Sequence, residues 1–388
     1  MSGFGRIGQR FFTVLSGIAI LVGVTACGAA GDGGGGDIVV GVNTEITGAN
    51  ADGGAFAKNA VTMAADEINA KGGVNGKKIK LVIEDSQSTN QGAVASTNKI
   101  IDQDKAIAMI GPVKSTQIQA LNDIVAKAGL PTLIGGTNCQ LTQVGNKWLT
   151  RYRPDDCITG KGIAQFAVDD LAGKKISVLH DTDAFGTGGK DQVVAYLKDK
   201  GMTPADIEGY KTASENYQSV LQKIKDAGTD VLVIYTTNGT DCAKMMQQVK
   251  QLGFTFKIVT SPTGAAQNTL DLAKESAEGV YSATDFVPGS NDQTTAYATA
   301  YRKKYNGEPD ILTAWNYDAL YILAQAMKTA GTTTDKAKIQ DALRATKGYN
   351  GVLGAFNMDM NGNGLHIAAL VQIKGGKLAL VKQVQVQA

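Results

Sequence analysis

VTMAADEINAKGGVNGKKIKLVIE, residues 61–84, carries the change of period that decides the fold. Val61, Ala64, Ala65 and Ile68 recur at i, i+3, i+4 and i+7, the spacing of one helix face. Lys71-Gly72-Gly73 then stops the helix, because glycine readily takes the left-handed conformation that closes a helix C-terminus. Lys78–Glu84 reads as a strand, and the β-rich run Ile38–Val42 lies upstream, so the segment is strand, helix, strand. The alternation continues outward. A helical stretch around Val94–Ile101 leads to a strand at Ile107–Ile110, and Ile118, Leu121 and Val125 mark a helix before a strand at Pro131–Ile134. A second block repeats the theme: a strand at Ile176–Leu179 and a helix through Val193, Val194 and Leu197. Val231–Tyr235 precedes a helix through Met245, Met246, Val249 and Leu252, and Ile258–Thr260 precedes a short helical stretch. Such alternation predicts right-handed βαβ units and parallel sheets. Two blocks separated by Trp148–Pro154 predict two similar α/β lobes. Late helices at Trp315–Thr329 and Asp335–Arg344 come before a hairpin that pairs Ile367–Ile373 with Leu378–Val386 across Lys374-Gly375-Gly376-Lys377.

The N-terminus bears on location. Arg6 and Arg10 precede an almost wholly apolar run, Phe11–Val24. Its length of about 21 Å falls short of a bilayer core of roughly 30 Å, which fits a signal peptide and not a spanning helix. The run ends in Val24-Thr25-Ala26-Cys27, which resembles the lipobox of bacterial lipoproteins; that resemblance implies cleavage after residue 26 and acylation of Cys27. The Gly-rich stretch 27–36 reads as a tether. The expected location is the extracytoplasmic face of the cell membrane, held by lipid. Removing Arg6 and Arg10 takes the formal charge from +2 to 0. With no Lys/Arg-rich run or aromatic-basic array elsewhere, nucleic-acid binding has no support.

Beyond Cys27 the cysteines are Cys139, Cys157 and Cys242. An odd number in an oxidising compartment predicts one disulfide and one leftover thiol. Cys139–Cys157 is the preferred pair, since the intervening chain loops back easily. Enzymatic signatures are sparse. His180 and His366 are the two histidines, neither in a metal-ligand spacing, and GxSxG and phosphate-loop motifs are absent. His180 beside Asp181 could pass for half a dyad, and Cys242 near a helix start could be an activated thiol. Neither has an evident partner, so no enzyme, no cofactor and no metal are expected; a hydrolase is the alternative of another class.

Taken in order, several stretches resemble the branched-chain amino-acid (Leu/Ile/Val) type of periplasmic solute-binding protein. The densest is Ala65–Gly76. Others are Ile110-Gly111-Pro112 with Ser115, Gly136-Thr137-Asn138 with Leu141-Thr142, and Arg151 with Asp156 and Gly160. His180-Asp181 with Phe185-Gly186, and Tyr317-Asp318-Ala319, complete the series. The resemblance spans the chain beyond Cys27. It implies a class I periplasmic-binding-protein-like fold, two doubly wound lobes with a three-segment hinge near 154, 285 and 355. Lobe 1 would comprise 37–154 and 286–355, and lobe 2 would comprise 155–285 and 356–388. The protein would be a monomer that binds a small-molecule solute and hands it to ABC transporter permease subunits. A lipoprotein sensor signalling to a membrane partner is the alternative.

Ligands of open α/β sheets sit beyond the carboxyl ends of the strands, where helix N-termini offer unpaired N–H groups. In the first lobe the expected ligand residues are Ser115, Thr116, Gly136 and Thr137 around a carboxylate, with Lys114 available to a second negative group. N-capping is the plain alternative for Ser115 and Thr116. In the second lobe the positions are Phe185, Asn238 and Thr263. The resembled family holds the ligand's ammonium with an acidic residue where this chain has Thr263. An aromatic often found after the first strand is replaced by Gly53. The expectation is therefore a small acid, an amide or another polar solute without an α-ammonium.

Overall fold

The computed structural model describes residues 36–364 and 368–384. The signal segment, Cys27, His366 and the last residues of the expected hairpin lie outside the described residues. No helix among the described residues is long and apolar enough to cross a membrane.

In the opening stretch the helix Ala51–Ala70 buries Val61, Ala64, Ala65 and Ile68, the four positions read from the spacing. They pack with Leu320, Leu323 and Met327 of the helix Ile311–Ala330 against the first sheet. The turn after it uses both glycines at positive φ. At Gly73 a Cβ would stand 2.0 Å from the Lys77 carbonyl oxygen, so no larger residue fits. Asn69 then ties the helix end to the next strand, donating to the Ile79 carbonyl at 2.8 Å and accepting from its N–H at 2.7 Å.

The first sheet contains β1 (Ile38–Thr44), β2 (Ile79–Asp85), β3 (Ala108–Ile110), β4 (Thr132–Ile134) and β5 (Leu149–Arg151). All pairs are parallel, in the order β2-β1-β3-β4-β5. The second contains β6 (Ile176–Asp181), β7 (Asp206–Tyr210), β8 (Val231–Tyr235), β9 (Lys257–Thr260) and β10 (Tyr281–Thr284). A small ribbon of β11 (Tyr349–Gly351) and β12 (Gly354–Phe356) follows. The hairpin β13 (Ala368–Lys374) and β14 (Lys377–Val384) then joins the second sheet through an antiparallel β10–β13 pair. That sheet runs β14-β13-β10-β9-β8-β6-β7. Its parallel part repeats the strand order of the first sheet, so each has a switch point where the order reverses, between β1 and β3 and between β6 and β8.

Besides the small ribbon β11-β12, three strands of the two sheets escape the hydrophobic pattern. β7 is an edge strand whose solvent face carries Ile207 and Gly209 and whose other face begins with half-buried Asp206 and Glu208, β5 buries the polar Thr150 and Arg151, and β10 buries Ser282 and Thr284 rather than an apolar run. The last passage between the sheets also comes later than 355. Gly364 N–H donates to the Arg151 carbonyl at 2.6 Å and Arg151 N–H donates to Gly362 at 2.9 Å, which keeps residues up to Gly364 on the first sheet's side. A tight turn around Asp359, which accepts from the N–H of Asn361 and Asn363, holds that segment there.

Candidate functional site

The two switch points face a shared cavity of about 100 Å³. That is well above the roughly 10–15 Å³ a cavity needs to hold one water. Its walls come from the loops that follow β1, β3 and β4 on one side and β6, β8 and β9 on the other. Glu45, Lys114, Ser115 and Thr137 line the first side; Phe185, Thr237 and Thr263 line the second.

Ser115 opens the helix Ser115–Ala128 as its first helical residue, and Lys114 holds the N-cap position without a side-chain bond to the helix. Neither Ser115 nor Thr116 is therefore the cap. The helix's first N–H groups lack a side-chain acceptor, which leaves the positive end of its dipole toward the cavity. By contrast, Asp183 and Asn238 cap the helices after β6 and β8 by accepting from Gly186 N–H at 2.8 Å and Asp241 N–H at 3.1 Å. Ser115 is buried, and its Oγ accepts from Asn138 N–H at 3.3 Å. Thr137 is buried too, and its carbonyl accepts from Asp156 N–H at 2.8 Å.

Of the eight ligand positions expected from sequence, Lys114, Ser115, Thr137, Phe185 and Thr263 line the cavity. Thr116, Gly136 and Asn238 do not. Thr116 is one residue further along the helix. Gly136 is packed so closely that a Cβ would meet Ile118 at 2.5 Å. Asn238 spans the cleft instead, its Nδ2 donating to the Ala49 carbonyl at 2.9 Å and Asn50 Oδ1 at 2.8 Å. Asn138 makes a second bridge, donating to the Ala184 carbonyl at 2.7 Å. Both sets of bonds run between loops of the second sheet and loops of the first. At the hinge, Arg153 forms a buried bidentate pair with Asp285 (2.8 and 3.3 Å), donates to the Gly135 carbonyl at 3.0 Å and also lines the cavity.

Glu45 was not legible as a site residue, although it directly follows the first strand, where a doubly wound fold places ligands. It is 1 % exposed and its Oε1 has no hydrogen-bond partner. Burial pushes its carboxyl up to about 7, against the pull of Lys114 and reinforced by Asp85. The expectation of a cleft without a carboxylate thus describes the second lobe's lining; the first lobe supplies one. Thr263 follows β9, whereas Glu45 reaches the cavity from the other lobe.

Cys139 and Cys157 are joined, with Cα atoms 5.7 Å apart, and Cys242 is free and buried. Burial, reinforced by Asp241, pushes the Cys242 thiol up, the reverse of the shift that activates a thiol. The His180 ring bonds the Asp181 carbonyl through Nδ1 at 2.8 Å and does not line the cavity.

A family model described as periplasmic binding protein matches residues 37–377. An amino acid binding protein of Pseudomonas aeruginosa is 29% identical over 313 residues, covering 80% of this chain and 83% of that protein. A Leu/Ile/Val-binding protein homolog of Brucella abortus is 27% identical over 354 residues, covering 90% and 93%. Among solved structures, a branched-chain amino acid transporter substrate binding protein of Streptococcus pneumoniae, in complex with isoleucine, aligns with a TM-score of 0.84. It is 27% identical, over 90% of this chain and 100% of that one. A leucine binding protein of Thermotoga maritima aligns with a TM-score of 0.83 at 25% identity, over 90% and 99%.

Proposed function

The chain belongs to the periplasmic binding protein family, and from that membership we propose that it is the solute receptor of an ABC importer. It captures a small polar solute of the amino-acid-like, acid or amide class by closure of its two lobes. One observation carries the reading: a cavity of about 100 Å³ walled by the loops at the carboxyl ends of both sheets. The names of the Pseudomonas, Brucella and Streptococcus relatives support an amino-acid-like solute. Acylation of Cys27 would hold the receptor at the membrane, beside its permease.

Ser115, Thr137 and the uncapped helix N-terminus take the solute's carboxylate or carbonyl end, with Lys114 beside them. Gly136 supports this wall through its carbonyl, which accepts from Arg151 Nη1 at 3.1 Å. Phe185 and Thr263 close on the far end. The Phe185 ring is held against Tyr235, centroids 5.0 Å apart. Asn238 and Asn138 secure the closed state, which solute favours to the extent that it binds that state more tightly.

A thermal-shift screen of amino acids, small acids and amides tests this, because a solute stabilises the folded protein by mass action. Ser115→Ala and Thr137→Ala should each weaken binding of the stabilising compound at least about tenfold, the loss of one hydrogen bond to a charged group. Unchanged affinity in both variants refutes the site.

A further inference from the structure

Glu45 is the one ionisable group in the cavity wall that neither lies in the family-like positions nor has a structural partner. Its backbone is rigidly placed. Asp85 accepts from the N–H groups of Ile46 (3.0 Å) and Thr47 (3.1 Å) and from the Thr47 hydroxyl (2.6 Å), clamping the loop after β1. Burial alone would push the Asp85 carboxyl up, but these bonds and one from Gln87 N–H hold it below the usual range, so the clamp is ionised. From the other side the helix Ala51–Ala70 presses on the loop. A Cβ on Gly54 would lie 2.0 Å from the Glu45 carbonyl oxygen. The backbone that carries Glu45 is thus fixed from both sides.

Held there, Oε1 of Glu45 is buried and unpartnered. The two cations of the cavity wall do not satisfy it: Arg153 is committed to Asp285, and Lys114 makes no ion pair with Glu45 within 4.0 Å. An ionised carboxylate can accept about four hydrogen bonds, and leaving it short when buried is costly. The missing donor has to come from whatever fills the cavity.

We propose that Glu45 is a specificity-determining residue that receives a nitrogen-borne hydrogen of the solute, from an ammonium or an amide. The cleft then selects compounds joining a carboxyl or carbonyl end to a donor nitrogen over nitrogen-free acids of the same shape. This inference rests on the solute-capture reading above. It reverses the usual division between the lobes. The first lobe neutralises both ends of a dipolar solute, with Lys114 and Ser115 at one end and Glu45 at the other. The second lobe's wall (Phe185, Thr237, Pro262, Thr263, Ala266, Asn268) has no ionisable side chain and sets shape.

A pH signature follows. Burial, reinforced by Asp85 and opposed by Lys114, puts the empty-cleft carboxyl at about 7. An ammonium pairs with the ionised form, so its affinity rises from about pH 6 to pH 8; a solute that accepted a proton from Glu45 would show the opposite slope.

Matched compounds test the idea on the purified chain by thermal shift and calorimetry: alanine and propionate, valine and 3-methylbutanoate, leucine and 4-methylpentanoate. Propionamide and 3-methylbutanamide form the amide arm. Members bearing nitrogen should raise Tm while their nitrogen-free twins do not, and the arm that responds identifies ammonium or amide as the donor. Glu45→Gln should weaken the best amino acid at least about tenfold and flatten its pH slope, and Glu45→Leu, with no acceptor, should abolish binding in either arm. Equal stabilisation by the nitrogen-free acids, with Glu45→Gln binding like the wild type, overturns the inference and leaves solute capture standing. Failure of every compound in both arms to raise Tm overturns both.

Discussion

Replacing Glu45 with glutamine should make the empty protein more stable at pH 8 and hardly so at pH 5. The carboxyl is held at about 7 in the folded chain against an ordinary 4.5, so its protonated form is the one the fold tolerates. A group whose folded pKa is raised contributes stability that is present at low pH and lost as pH rises through the folded value. At pH 5 the folded protein keeps the proton and avoids most of the burial penalty. At pH 8 the group is ionised in both states, and the folded state bears a penalty of about 3 kcal/mol. Integrated between those pH values, the wild type loses about 2 to 3 kcal/mol that the glutamine variant keeps. Other buried acids move in the same direction: Asp156 is pushed up to about 7, and Asp310, Asp318 and Asp181 to about 6, chiefly by burial. They are common to both proteins and cancel when the variant's advantage at pH 5 is subtracted from that at pH 8. Urea unfolding of wild type and Glu45→Gln at the two pH values, without solute, measures this quantity. An advantage that changes by less than about 0.5 kcal/mol, near the extrapolation error, would falsify the account of a desolvated Glu45.

Two further changes separate closure from folding. Asn238→Ser keeps an N-capping hydroxyl but is too short to reach Ala49 and Asn50, so the closed state loses two hydrogen bonds, about 1–3 kcal/mol together. Solute affinity should fall about tenfold or more in calorimetry; unchanged affinity with a lowered unfolding midpoint would place Asn238 in folding alone. Cutting the Cys139–Cys157 link by a double Cys→Ala change frees an 18-residue separation, worth about 3 kcal/mol of loop entropy. Chemical denaturation should show that loss, and a cost below about 1 kcal/mol would contradict a link that constrains the unfolded chain.

The first lobe's framework could be read because its helices carry their burial in a one-dimensional pattern. Val61, Ala64, Ala65 and Ile68 are a stripe on any straight helix, and Gly72-Gly73 ends it by local backbone freedom. Val231–Tyr235, buried on both faces, was equally plain. Elements whose stability comes from neighbours were not. β7 is a strand because β6 offers it a ladder, and β10 because its polar side chains find buried partners such as the Ser261 carbonyl, reached by Ser282 Oγ at 3.0 Å. Within the site, loop positions after β3 and β4 could be placed from family-like motifs, yet Asn238 and Glu45 changed parts. The first is drawn off as a latch by Ala49 and Asn50, nearly two hundred positions away in the chain. The second becomes a wall residue because Asp85 and Gly54 pin its loop.

By itself, then, the sequence determined the alternation of strands and helices, and with it two parallel sheets and the edges at which a solute would sit. Those are consequences of side-chain period and glycine placement, which act within a few residues. Only the tertiary structure decided the charge of the cavity. Whether a carboxylate is solvated or stranded depends on what distant segments bring around it, and in this chain they bury Glu45 without giving it a partner.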